Sequence, residues 1–426
     1  MLRLPTIKPG RRRFIISLRG LMVAILILGV WMGWIINRAE SRRKAVATLE
    51  RNGAIVLYDY ESMRGVKAAT TRQWAPAWLR TRLGDDYFQS VTYANLTPNG
   101  AREYVLADRD LAPLQALDRL DVVELTDTPI TDAGLTYLEG LNLTSLVLAN
   151  IDPAEPNVHV TDAGLACLRG MTRLRNLELI GTDVSDAGLK HLGQMTGLES
   201  LGLPQTKVTG AGLAHLGKMA HLKSLRLFGT PMTDVGLGQL RGMVSLQDLR
   251  LGGTRTTDAG LANLAGLTML RRLDLGTENC SDAGLAHLAG LTSLQELSLE
   301  GARITDAGLV HLAGLQNVRE LHIDSSSITD LGLVHLRGLA NLRVLSLVGA
   351  KGVTDAGLTH LRGLVNLRAL HVDFTAVSDE GIKGLQRALP TLGRTTNRKP
   401  TKPTASPPSA TKGDIALFGW VPLVGE

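Results

Sequence analysis

The stretch Leu174-Arg-Asn-Leu177-Glu-Leu179-Ile-Gly-Thr182-Asp-Val184-Ser185-Asp-Ala-Gly188-Leu189-Lys-His191-Leu192 decides the fold. Leu177-Glu178-Leu179 alternates with period two, which predicts a short strand with its leucines turned inward and Glu178 outward. Ser185 then suits a helix N-cap. Asp186 falls in the first helical turn, where exposed N–H groups and the helix dipole stabilise a carboxylate. Leu189 and Leu192 bring a helical stripe back onto the same core. In most units a glycine closes the helix, as Gly170, Gly242, Gly266, Gly290, Gly314, Gly338 and Gly363 do.

The phrase Thr-Asp-Ala-Gly-Leu, or a close variant, recurs eleven times, beginning at Thr131, Thr161, Ser185, Thr209, Thr233, Thr257, Ser281, Thr305, Thr329, Thr354 and Ser378. The spacing is 24 residues except for a first interval of 30 and one of 25. A period of about 20 to 30 residues marks a solenoid, whose units pack on their neighbours and present one long face rather than a closed pocket. The repeat therefore replaces the two or three globular domains that length alone would suggest.

The L-x-x-L-x-L strand, its turn and the T-D-x-G-L-x-x-L helix resemble the leucine-rich repeat family over about residues 111 to 392. The closest likeness is to the subclass with a cysteine after the strand, here mostly replaced by Thr128, Thr182, Thr206, Thr230, Thr254 and Thr375, whose hydroxyls are expected to bond turn backbone. The resemblance implies an α/β right-handed horseshoe, with parallel strands on the concave face and short helices on the convex face. It also implies that the variable strand residues meet protein or peptide partners. At about 4.8 Å between strands, the array would run on the order of 50 to 60 Å.

Charge is unevenly distributed along the chain. The net +6 divides into +9 over residues 1 to 52, +3 over 393 to 426 and −6 over the rest, so no basic nucleic-acid footprint is expected on the repeats. Residues 1–13 read as a basic tail. Phe14 to Ile36 is an apolar run interrupted only by Arg19, long enough to span a bilayer if Arg19 snorkels. Trp31 and Trp34 suit its interfacial end. Arg11-Arg12-Arg13-Phe14-Ile15 resembles a twin-arginine export signal. The long apolar run and the sequence Asn37-Arg38-Ala39-Glu40, which offers no small-x-small site, favour an uncleaved anchor instead. With this span the chain resembles bacterial single-pass, membrane-anchored leucine-rich-repeat proteins. Flanking basic residues are nearly balanced, and Arg19 with the free amino group favours repeats outside the cytoplasm, at the inner membrane.

Residues 37–110 read as a juxtamembrane helix over Glu40 to Arg51, stopped at Asn52-Gly53, and a small α/β cap. The cap would hold a strand over Ala54 to Tyr60, a helix around Pro76 to Leu83 and a strand around Phe88 to Tyr93. Asp85-Asp86 reads as a solvated turn. Residues 393–413 read as a disordered linker and 414–426 as an apolar tail too short to cross a membrane.

Binding residues are sought where copies differ. Outward strand positions include Glu178, Arg226, Arg250, Asp274, Ser298, His322 and His371, flanked by Phe228, Arg272, Glu296, Glu300, Glu320, Asp324 and Asp373. Arg226, Arg250 and Arg272 form an expected basic centre, followed by an acidic stretch from Asp274 to Asp324. Phe228 adds an aromatic anchor. His191, His215, His287, His311, His335 and His360 share a column with Tyr137, Cys167, Gln239, Asn263 and Gly384, so its common property is polarity or small size rather than metal ligation. Asp132, Asp162, Asp186, Asp258 and Asp306 are read as helix starts, and Cys280 as a buried small hydrophobe. No P-loop, GxSxG, HExxH or paired CxxC is present, and neither an enzyme nor a cofactor or metal is expected. The leading expectation is a membrane-tethered protein that binds a protein or peptide on its concave face. The alternatives are an F-box-like substrate receptor for ubiquitin transfer, which lacks its helical module here, and an envelope spacer without a ligand.

Overall fold

The computed structural model describes residues 18–58, 90–98, 106–151, 157–276, 278–325 and 327–398. The basic tail, the start of the apolar run, Asp85-Asp86, the helix expected around Pro76 to Leu83 and the apolar tail lie outside these residues. A single helix, α1, runs from Leu18 to Arg51, joining the apolar run to the charged juxtamembrane segment without a break. Ala39, Ala45, Val46 and Leu49 are buried against the array, whereas the apolar half is not covered by protein. By length and composition that half suits a membrane anchor or a signal sequence. Gly53, at φ +90, turns the chain out of the helix, a conformation in which a Cβ would be strained.

The strands form one 14-stranded sheet in sequence order. The first two are β1 (Ile55–Tyr58) and β2 (Val91–Asn95), which are antiparallel; from β2 onward every pairing is parallel. There follow β3 (Val122–Thr126), β4 (Ser145–Ala149), β5 (Asn176–Ile180), β6 (Ser200–Gly202), β7 (Ser224–Arg226) and β8 (Asp248–Arg250). The last six are β9 (Arg272–Asp274), β10 (Glu296–Ser298), β11 (Glu320–His322), β12 (Val344–Ser346), β13 (Ala369–His371) and β14 (Arg394–Thr396). Leu177, Leu201, Leu225, Leu249, Leu273, Leu297, Leu321 and Leu345 pair in register, so identical side chains stack into one continuous core. Each buried leucine contributes roughly 1.5–3 kcal/mol. The α/β solenoid is thus a parallel sheet backed by short helices.

Between strand and helix, the threonine hydroxyls at Thr182, Thr206, Thr230, Thr254 and Thr375 donate to the carbonyl three residues earlier, at 2.6–3.0 Å. The helix-start Thr or Ser has an extended backbone and in most units accepts a hydrogen bond from an amide two residues on, as Thr329 does from Leu331.

The aspartate of the repeated phrase does more than meet the helix dipole. Asp306 accepts the amide of Thr329, in the next unit, at 2.8 Å and its hydroxyl at 2.6 Å. Similar pairs link Asp108 to Thr131, Asp132 to Thr161, Asp162 to Ser185, Asp186 to Thr209, Asp234 to Thr257 and Asp258 to Ser281. The same pairing continues from Asp282 to Thr305, Asp330 to Thr354 and Asp355 to Ser378. The glycine of the phrase makes room for this staple, because a Cβ at Gly332 would overlap the Asp306 carboxylate. One link is missing. Gly210 stands where the other units carry aspartate, has φ +104 and packs against Gly236, and Thr233 bonds backbone to backbone with Thr209 instead.

Asp306→Ala should cost about 1–3 kcal/mol by stranding the Thr329 donors. Gly332→Ala, which in an open helix would gain up to about 1 kcal/mol of propensity, should instead destabilise by about 1–3 kcal/mol through overpacking. Denaturant unfolding of both single variants and the double variant tests the coupling: the Gly332→Ala penalty should shrink once the carboxylate is gone. Strictly additive penalties would contradict the staple.

Candidate interaction surface

The register places the sequence candidates on one face of the sheet. The first strand positions supply Arg272, Glu296 and Glu320, and the positions between the leucines supply Glu178, Arg226, Arg250, Asp274, Ser298, His322 and His371. Phe228, Glu300, Asp324 and Asp373 follow the second apolar position of each strand unit.

Glu178 departs from expectation, because it is on the outward face yet its side chain is only 1% exposed. The cause is Gly202 on the adjacent strand. With no side chain there, the Glu178 carboxylate lies across β6 and pairs with Arg226 on β7; a Cβ on Gly202 would overlap it. Burial pushes the Glu178 carboxyl up, opposed by Arg226. Glu178 therefore holds Arg226 in place and does not itself offer a contact.

The expected basic centre is also neutralised within the sheet. Asp248, at the first position of β8, sits 3.4 Å from Arg250 Nε and 3.3 Å from Arg272 Nε. Arg272 also approaches Glu296 at 3.9 Å. Asp248 shares its column with Arg272, Glu296 and Glu320 yet falls outside the sequence candidates, and Gly202 is visible in the sequence as the glycine of the column between the leucines.

Carboxylates dominate the next three strands. Glu300 lies 3.7 Å from His322 Nδ1, and Glu320 has no ion-pair partner among the described residues. Asp324 accepts the Ser346 hydroxyl at 2.7 Å and the Val348 amide at 3.1 Å. Asp274 accepts the Gly276 amide at 3.0 Å. Burial raises the Glu296 carboxyl, with Glu320 and Asp248 adding to the shift and Arg272 opposing it. Burial likewise raises Glu300, reinforced by Asp324 and Asp274 against His322. Ser298 is partly exposed between Asp274 and His322.

Near the far end His371 contacts the Thr396 hydroxyl at 3.0 Å, and burial lowers its imidazole pKa. Asp373 is engaged by Thr396 and by the Arg398 amide. Phe228 is 37% exposed. The histidine column lies on the helical side, and no group of three metal-ligating side chains occurs among the described residues. Cys280 is buried and its thiol pKa is pushed up to about 12 by desolvation, an environment opposed to thiolate reactivity.

Arg226→Ala would leave Glu178 buried without a counter-charge, at a cost of about 3–5 kcal/mol near pH 8. Without Arg226 the carboxyl rises further. A carboxyl raised above its unfolded value contributes stability that is present below the unfolded pKa and lost as pH climbs through the folded one. The penalty measured by urea unfolding should therefore be smaller at pH 5 than at pH 8, and Arg226→Ala/Glu178→Gln should regain part of it. Equal penalties at both pH values would rule out a charged, buried Glu178.

A family model described as Leucine Rich repeat matches residues 290–313, about one unit of the array. Comparison with curated proteins gives no match. Among solved structures, the internalin inlF of Listeria monocytogenes is similar at a TM-score of 0.48 and 22% identity, over 66% of this chain and 82% of that one. Internalin C2 (inlC2) of the same organism gives 0.40 and 28%, over 50% and 83%. By its strand, turn and helix geometry, this chain folds as a leucine-rich-repeat solenoid.

Proposed function

We propose that this protein is a membrane-tethered binding module whose concave face captures a basic protein segment or peptide. The observation that carries the reading is the surplus of carboxylates on β9 to β11: Asp274, Glu296, Glu300, Glu320 and Asp324 share that surface with one arginine, Arg272. Partial desolvation of Glu296 and Glu300 strengthens their attraction for a cation brought against them, because the field is less screened there than in water. Exposed Phe228 offers an apolar contact beside this charged floor. The apolar half of α1 supports a tether in the bilayer through residues 14–36, and Arg19 with the free amino group favours repeats outside the cytoplasm. Neither a cofactor nor a nucleic acid has a role in this reading.

Screening a displayed peptide library against the full chain in nanodiscs tests it. Lys/Arg-rich sequences should be enriched and should lose binding to Glu296→Lys/Glu300→Lys/Glu320→Lys. Because burial raises Glu296 and Glu300, the affinity should begin to fall at a higher pH than ordinary carboxylates would dictate as the solution is acidified. Enrichment of neutral peptides, with unchanged binding to the triple variant, would refute recognition by this acidic surface.

A further inference from the structure

The ends of the docked half of α1 fix how that helix crosses the array. Arg38 pairs with Asp118, which lies just before β3, so this turn of α1 sits at the edge where strands begin. Arg51 ends the helix, and Gly53 leads into β1, whose first residue Ile55 pairs with Asn95 at the end of β2. α1 thus runs from the strand-entry edge to the strand-exit edge. Continued backward, Leu18 to Asn37 project past the strand-entry edge by about 30 Å at 1.5 Å per residue. If a bilayer holds that segment, it lies beside the strand-entry edge along the length of the solenoid.

That edge changes character along the array. In the early units its charges pair: Arg173 with Asp121 at 4.0 Å, and Glu199 with Arg175 at 3.9 Å and Lys223 at 2.7 Å. In the last units Arg319, Arg343 and Arg368 precede strands, and Arg337, Arg362 and Arg387 stand at helix ends; all six are exposed. None has an ion-pair partner among the described residues. The carboxylates of these units lie elsewhere: Asp306, Asp330, Asp355, Asp379 and Glu380 at helix starts on the opposite edge, and Glu320, Asp324 and Asp373 on the concave side. Val365, 63% exposed, stands between Arg362 and Arg368.

We propose that this arginine edge docks on anionic phospholipid headgroups, laying the solenoid edge-on along the membrane that holds α1. The proposal rests on the tethered reading above. Guanidinium groups match phosphate bidentately, and an edge that the helix already directs toward the bilayer needs no further ordering to reach it. Each arginine held close to an anionic membrane surface is attracted by its negative potential. A single-stranded nucleic acid would call for aromatic platforms, and Phe374, the only aromatic of residues 305 to 398, follows β13 on the strand-exit side.

Arginine footprinting with phenylglyoxal on the full chain in nanodiscs, read by mass spectrometry, tests the docking. With phosphatidylglycerol present, Arg337, Arg343, Arg362 and Arg368 should lose reactivity relative to phosphatidylcholine alone, and high salt should restore it. Arg255 and Arg303, on the strand-exit side, should react equally in both lipids. Arg343→Glu/Arg362→Glu/Arg368→Glu should free Arg337 to its phosphatidylcholine level while leaving the melting temperature unchanged. Chain that co-elutes with nanodiscs but shows no lipid-dependent protection would overturn the docking and leave the tether intact. Chain that fails to co-elute would overturn both. Protection by inorganic polyphosphate in neutral nanodiscs, with none from phosphatidylglycerol, would reassign the edge to a soluble polyanion and likewise overturn the proposal.

Discussion

A carboxylate shared between consecutive units holds the outer edge of the solenoid in register. Each aspartate stays at its own helix start, yet its two oxygens take the amide and hydroxyl of the following unit, as Asp306 does with Thr329. The capped helix, the turn and the next strand are thereby fixed to one another by charge-assisted bonds, roughly twice as strong as neutral ones. The leucine stack supplies burial but is non-directional. The staple supplies the direction, and the glycine that follows it is the space the carboxylate occupies.

Much of this was legible in the sequence because it is local. The leucine alternation specified the strands, and the Thr or Ser before each aspartate specified the caps, as at Thr329. The aspartates do stand at helix starts, as the sequence implies, but the staple was missed because its partner lies 23 residues ahead in most units, as with Asp306 and Thr329, a separation at which sequence spacing alone shows no contact. The invariant glycine was the available signal: a helix has no need of glycine in its first turn, so its recurrence across copies marked a close approach.

The charged face was less legible, for a geometric reason. Reading each column for runs of one sign misses pairs that cross to the next column or skip a strand. Asp248 sits in a different column from Arg250, and Glu178 reaches Arg226 only because the intervening residue is Gly202. Segment totals hide charge in the same way. A repeat region that sums to a negative value still carries an edge of arginines, unpaired among the described residues, in its last units, since the 24-residue period assigns each column to one side of the solenoid.

Gly210 gives the array a mechanical seam. Elsewhere a pull along the solenoid axis must break a charge-assisted bridge together with the leucine contacts at every junction. Between the units of Thr209 and Thr233, a backbone bond and glycine-to-glycine packing stand in for the bridge. We expect the chain, tugged at its far end while α1 is held, to part there first and extend as two blocks rather than peel unit by unit. Force spectroscopy would register an early step at that junction, and a uniform sawtooth would speak against the seam.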